Sequence, residues 1–161
     1  ISRTVRGNIP ADADDPHDPI LRQAAPDAEI EAAFSHRYAE ARDKFLAAAR
    51  DAGLAVQSHL HPLKGRDGED LAMDVVRDGP ANAASVLIVS SACHGVEGYC
   101  GSGVQVAALR NAALRAQMAC SGVAVLYIHA LNPYGFSHVR RTTHENVDLN
   151  RNFHDFRSHC R

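Results

Sequence analysis

The run Ala84-Ser-Val-Leu-Ile-Val-Ser90, the glycine-rich segment Gly95–Gly103, the helical pattern Val104–Ala119 and the run Val123-Ala-Val-Leu-Tyr-Ile-His129 stand in that order. Each short β-branched run suits a strand buried on both faces. Gly122 separates the helical pattern from the second run. Strand, helix and strand at this spacing make a βαβ unit, which predicts parallel strands joined by a right-handed crossover. In such sheets ligands sit beyond the carboxyl ends of the strands. The segments after Ser90 and after His129 therefore become the candidate functional loops.

Upstream of this unit, Ile30, Ala33, Phe34, Tyr38, Ala41, Phe45, Ala48 and Ala49 recur at three- and four-residue steps. The spacing predicts one helix over 28–52, with Asp27 as N-cap and Gly53 as its stop. Leu54–Leu60 and Asp70–Arg77 alternate apolar and polar residues around a turn at Lys64–Gly68, which predicts a hairpin. Residues 1–28 differ: they hold Pro10, Pro16, Pro19 and Pro26 with the acidic run Asp12, Asp14, Asp15 and Asp18. That composition predicts an extended or disordered arm ahead of an α/β domain over 29–161.

The chain has 161 residues, 45% hydrophobic and 22% charged, which fits a single soluble globular domain. A net charge of −2 gives no footprint for nucleic acid or an anionic membrane. No apolar stretch approaches the ~20 residues needed to span a bilayer, and no secretory h-region is visible. Cys93, Cys100, Cys120 and Cys160 include no CxxC pair, so reduced thiols in a cytoplasmic protein are expected. Ten histidines are many for this length and point toward a metal site.

Two loops carry residue types suited to chemistry. The first reads Ser91-Ala-Cys-His94-Gly-Val-Glu97-Gly98. A tight turn there can aim the His94 imidazole and the Glu97 carboxylate at one point about 2 Å from each, the distance zinc requires. The alternative is a capping glutamate beside a surface histidine. The second reads Asn132-Pro-Tyr-Gly135-Phe136, then Arg140-Arg141, then Asn146-Val-Asp148-Leu-Asn150-Arg151-Asn-Phe153. Guanidinium groups suit planar anions because their fork matches a carboxylate. The alternative is a solvated basic loop paired with Asp148 and Glu145.

The combination of His94-x-x-Glu97, Asn132-Pro-x-Gly135, Arg141 and Val147-Asp-Leu-Asn150-Arg151-Asn-Phe153 resembles the zinc carboxypeptidase family, in a bacterial branch of unassigned substrates. The resemblance runs from about Phe34 to Phe156. It implies a phosphorylase/hydrolase-like α/β fold with a mixed, largely parallel sheet and flanking helices. It also implies a Zn2+ cofactor bound by His94 and Glu97. Arg141, with Arg140 second, is the implied arginine on the scissile carbonyl, and Asn150 with Arg151 the implied grip on the substrate's terminal carboxylate. The implied reaction is hydrolysis of an amide next to a free carboxylate, in a peptide or an N-acyl amino acid. The family's third ligand and general base lie farther downstream than His154, His159 and Cys160, so the chain corresponds to the N-terminal half of such a domain. Tyr134 stands where relatives carry aspartate. Such a half-domain leaves a sheet edge uncovered, so self-association is expected.

Other readings are a deacylase resembling aspartoacylase and succinylglutamate desuccinylase, and a non-catalytic carboxylate-binding domain. Lesser constellations are a nucleotide loop at Gly98-x-x-Gly101-Ser-Gly103, a Ser102 or Cys93 nucleophile, a surface metal pair at His59 and His61, and His129 as a core or supporting histidine.

Overall fold

A computed structural model describes residues 27–153. Its elements in chain order are α1 (Asp27–Glu31), α2 (Tyr38–Asp51), β1 (Val56–Lys64), β2 (Asp70–Asp78), β3 (Ser85–Ser90), α3 (Glu97–Arg110), α4 (Ala112–Cys120), β4 (Val123–His129), α5 (Pro133–Ser137) and a single 3₁₀ turn, Leu149–Arg151. The arm expected over 1–28 lies outside the described residues except at Asp27 and Ala28, which open α1. His154, His159 and Cys160 lie outside them as well.

The fold is α/β, a mixed four-stranded sheet in the order β1-β2-β4-β3 flanked by helices. The predicted hairpin forms, with β1 antiparallel to β2. The predicted βαβ unit also forms: β3 and β4 run parallel, with α3 and α4 as the crossover. The sheet is not largely parallel among the described strands, because β2 pairs antiparallel with β4 as well as with β1. A hairpin feeding its second strand against β4 makes two of the three pairings antiparallel.

The helices depart from expectation for local reasons. The pattern over 28–52 splits into α1 and α2, because the intervening bend buries Ala33 and Ser35 and lays Phe34 against α3. Glu40 in the first turn of α2 then accepts the His36 N–H at 3.3 Å. Gly53, at φ +72, ends α2: its N–H reaches Arg50 O at 2.9 Å and Leu54 N–H reaches Ala49 O at 2.9 Å. The pattern over 104–119 breaks at Asn111, whose side chain accepts the Leu114 N–H at 2.9 Å and caps α4.

The glycine run is not a loop. Gly98, Gly101 and Gly103 lie inside α3, which begins at Glu97. A Cβ on Gly98 would sit 2.6 Å from Ala92 Cβ and 2.8 Å from the Phe136 ring, and one on Gly101 would sit 2.9 Å from Ser91 Cβ. Gly103 packs under the Phe34 ring. These glycines let the helix approach the end of β3 and α5, and packing overrides their low helix propensity. The nucleotide-loop reading ends here.

The strand β3 is also not buried on both faces. It stands at one end of the described sheet, and Val86, Leu87 and Ile88 are 52%, 47% and 61% exposed. The main core lies between α2, α3 and the β2–β4 pair, around Phe45, Val76, Val106, Leu109 and Tyr127. A second cluster, with Tyr38, Leu71, Ala92, Ala130 and Phe136, lies under the two loops that leave β3 and β4. That second cluster is the floor on which the candidate site is built.

Candidate functional site

Both loops leave their strands in the same way. Ala92, after β3, and Ala130, after β4, adopt left-handed backbone at φ +56 and +59. The ladder continues past the strands through Leu131 N–H to Ser91 O at 2.9 Å and Asn132 N–H to Ala92 O at 3.0 Å. Among the described residues the only other non-glycine positions of positive φ are Val139 (+54) and Asn146 (+64), both in the second loop. Left-handed backbone costs an L-residue roughly 1–2 kcal/mol, and for β-branched Val139 it is a true outlier. Strain of this kind is thus concentrated in the two loops that face each other at this end of the sheet.

The Asn132-Pro-x-Gly135 motif is structural. Asn132 is buried, caps α5 by accepting the Gly135 N–H at 2.9 Å, and is followed by Pro133 in the first turn. A Cβ at Gly135 would meet the Asn132 side chain and stand 2.7 Å from Arg140 O. That Arg140 carbonyl accepts the Gly95 N–H at 3.0 Å, stitching the second loop to the first beside His94. No side chain fits at Gly95 either, since its Cβ would lie 2.8 Å from Arg140 O.

This stitching brings His94, Glu97, Arg141 and Asp148 together. His94 is buried; its Nδ1 lies 3.4 Å from Glu97 Oε2, and its Nε2 lies 2.9 Å from Asp148 Oδ1. Asp148 Oδ2 accepts the Arg141 Nε–H at 2.8 Å, and its Oδ1 also accepts the Asn150 N–H at 3.0 Å. The Arg141 guanidinium, with the His94 imidazole second, holds the Asp148 carboxyl well below the usual range, at about 2. Each imidazole nitrogen of His94 thus has a carboxylate oxygen beside it, and a carboxylate is an acceptor only, so Asp148 Oδ1 accepts the Nε2–H when that nitrogen carries the proton.

Asn150 and Arg151 lie in the 3₁₀ turn that follows, both exposed, and Arg151 Nη1 donates to Asn150 O at 3.2 Å. Arg140 is placed differently from Arg141. Its guanidinium donates to Thr142 Oγ1 and Asn146 Oδ1, each at 3.3 Å, and lies 6.0 Å from the Tyr134 ring centre. It braces the loop, while Arg141 faces the carboxylate on His94.

The remaining sequence candidates separate from this group. His129 is fully buried, shares a 2.9 Å hydrogen bond with Ser102 Oγ, and stacks on Phe45 at 4.5 Å. It is a core histidine, and burial pushes its pKa down to about 4. The same bond and burial remove Ser102 as an accessible nucleophile. Burial, with Asp148 and Glu97 nearby, pushes the Cys93 thiol up, which disfavours a thiolate. His59 is exposed, and His61 turns toward Tyr134 and His144, so the two do not share a face-on metal position. Asp148 joins this group, although in the sequence it reads only as a charge partner of the basic loop. The signal that could have found it is the rule that a histidine binding a metal takes a carboxylate or carbonyl on its other nitrogen.

Two donors on a tetrahedral zinc, each about 2.0–2.1 Å from the metal, stand about 3.3 Å apart. The 3.4 Å between His94 Nδ1 and Glu97 Oε2 fits that bite. Among the described residues no group of three His, Cys, Asp or Glu converges on one point, since Asp148 occupies the opposite side of the imidazole. No described helix is long and apolar enough to cross a membrane.

With this geometry in view, a family described as "Protein of unknown function (DUF2817)" matches residues 34–160. The chain belongs to that family. No curated protein matches it. Among solved structures it is similar to a glutaminyl cyclase from Porphyromonas gingivalis, at 20% identity and a TM-score of 0.33 over 58% of this chain and 37% of that one. It is similar to a glutaminyl cyclase from Macrostomum lignano, at 17% identity and a TM-score of 0.41 over 73% and 43%. It is also similar to a Zn-dependent exopeptidase from Parabacteroides distasonis, at 15% identity and a TM-score of 0.37 over 71% and 50%. The chain spans half or less of each of these proteins.

Proposed function

We propose that the protein is a zinc-dependent amidohydrolase of carboxypeptidase type, cleaving an amide next to a free carboxylate. The observation that carries this reading is the two-sided His94 imidazole: Asp148 Oδ1 beside Nε2, and Glu97 Oε2 at zinc bite distance from Nδ1. Zinc bound there supplies acidified water and Lewis-acid polarisation of a carbonyl. His94 and Glu97 provide two donors; the third donor and the general base are not among the described residues.

The chain's own residues account for orientation and charge. With a metal on Nδ1, Asp148 would accept the Nε2–H of His94, and at a pKa of about 2 its carboxyl is ionised at neutral pH. Arg141 spends its Nε–H on Asp148, which leaves its two terminal nitrogens to donate to a carbonyl oxygen as negative charge develops. Asn150 and Arg151, carried one turn beyond Asp148, are the amide and guanidinium that would hold the substrate's terminal carboxylate. An internal amide offers no charge at that position, so the reading predicts action at a chain end.

The test is a paired substrate panel of short peptides and N-acyl amino acids, each with a free and an amidated terminus. Arg151→Met is expected to raise KM at least tenfold for the free acids and to leave the amidated compounds unchanged. Equal effects on both sets would contradict the grip. Turnover confined to N-acyl amino acids would assign the deacylase reading in place of the peptidase.

A further inference from the structure

Outside the groups around His94, one ring cluster takes no part in the chemistry described above. Tyr134 stacks on His138, with centres 4.1 Å apart and planes 27° apart. His144 meets Tyr134 edge-on at 5.8 Å and meets His61 edge-on at 5.1 Å and 85°. His61 and Tyr134 lie 6.0 Å apart. Three separate segments thus converge: β1, α5, and the turn between Arg141 and Asp148.

The rings are not set as metal ligands. His61 Nδ1 accepts the Leu63 N–H at 3.1 Å, and His138 Nε2 donates to Lys64 O at 3.4 Å. Each of these histidines thereby commits one nitrogen to the backbone of the β1–β2 hairpin. The cluster instead ties that hairpin to the turn.

The turn is a tight one. Thr143 N–H donates to Val147 O at 2.9 Å, Asn146 N–H to Thr143 O at 3.0 Å, and Val147 N–H to Thr143 Oγ1 at 3.2 Å. His144 and Glu145 form its tip, and Asn146 holds left-handed backbone at φ +64. Arg141 and Asp148 are the two legs of this turn, joined by their own ion pair at 2.8 Å. Moving the tip therefore moves the carboxylate that faces His94.

We propose that the edge-to-face ring cluster of His61, Tyr134 and His144 is a positioning device, which pins the tip of this turn and so sets Asp148 against His94 Nε2. It gives Tyr134 a role of its own at the position where the carboxypeptidase-like pattern carries aspartate. The geometry stands without metal, and only its consequence for zinc rests on the function proposed above.

The experiment reads the His94 ring directly, by long-range 1H–15N NMR on the metal-free full chain with 15N-labelled histidine. The wild type is expected to show a protonated His94 Nε2 whose Nε2–H signal is held by Asp148. His144→Ala and Tyr134→Ala are expected to shift or lose that Nε2–H signal and to bind zinc about tenfold more weakly. Tyr134→Phe and His144→Phe keep the rings and are expected to keep the wild-type signal. Should Tyr134→Ala fail to fold, the exposed tip residue His144 decides alone. A His144→Ala spectrum with His94 unchanged would overturn the proposal, as would Tyr134→Phe disturbing His94 as much as Tyr134→Ala. A wild type that binds no zinc but keeps the Nε2–H response to these substitutions would instead reject the ligand reading.

Discussion

The loops after β3 and β4 begin alike and end differently. Each leaves its strand through a buried, left-handed alanine, and each lies on the cluster around Phe136. The first is short and runs into α3, so Glu97 is held by helix packing through Gly98, and His94 lies between that helix and the Gly95 N–H bonded to Arg140 O. The second is long and has no regular element beyond α5 and one 3₁₀ turn. It is held by side chains: the Asn132 cap, the Arg140 brace, the Thr143 turn and the Arg141–Asp148 pair. His94 and Glu97 thus sit on the side held by a packed helix, and Arg141, Asp148, Asn150 and Arg151 on the side held by side chains.

The strongest challenge to this contrast acts on the core beneath the loops, at the end of β4, where His129 stacks on Phe45. His129 is buried neutral, with a pKa of about 4 against an ordinary 6.5. The unfolded chain therefore takes up the proton first as pH falls. Stability is full above about 6.5 and is lost progressively toward 4, by roughly 3 kcal/mol in all. Urea unfolding between pH 7 and 4 should show this slope, and His129→Leu should flatten it. A wild type equally stable at both ends of that range would contradict the assignment of His129 to the core.

The next test separates the loops. Gly98→Ala places a methyl 2.6 Å from Ala92 Cβ and 2.8 Å from Phe136, so about 1–3 kcal/mol of stability should be lost. Amide exchange should quicken first around 92–97 rather than in 141–148. If the second loop opens first, the two are coupled more tightly than their packing indicates.

The smallest effect lies on the second loop. Val139 is exposed and strained at φ +54, so Val139→Gly should gain about 1 kcal/mol, a rise of roughly 2–4 °C in Tm. An unchanged or lower Tm would mean that the turn before Arg140 is held by something other than its hydrogen bonds.

Much of the fold was legible because apolar period is a local signal. The β1–β2 hairpin, the βαβ unit and the stops at Gly53 and Gly122 all follow from it. Strand neighbours do not, and so β3 reads as a doubly buried strand while standing at one end of the described sheet. Gly98, Gly101 and Gly103 read as a loop because their purpose is contact with Ala92, Ser91 and Phe34, residues distant in sequence. Asn111 was a readable cap that the continuous helical period concealed.

In the site, the two motif-bearing loops were visible, and the structure brings His94, Glu97, Arg141 and Asp148 into one group. The division of labour was not visible. Adjacent arginines look equivalent in a sequence, whereas Arg140 faces Asn146 and Arg141 faces Asp148. Asp148 read as a charge partner for a basic loop because only three-dimensional placement shows an imidazole on its other side.

Zinc titration of the intact protein addresses the His94 arrangement most directly, comparing wild type with Glu97→Gln and Asp148→Asn. The account predicts one ion per chain in the wild type, binding at least a hundredfold weaker in Glu97→Gln, and a tenfold to hundredfold loss in Asp148→Asn, where the charge behind the imidazole is removed. Equal zinc affinity in all three proteins would contradict it.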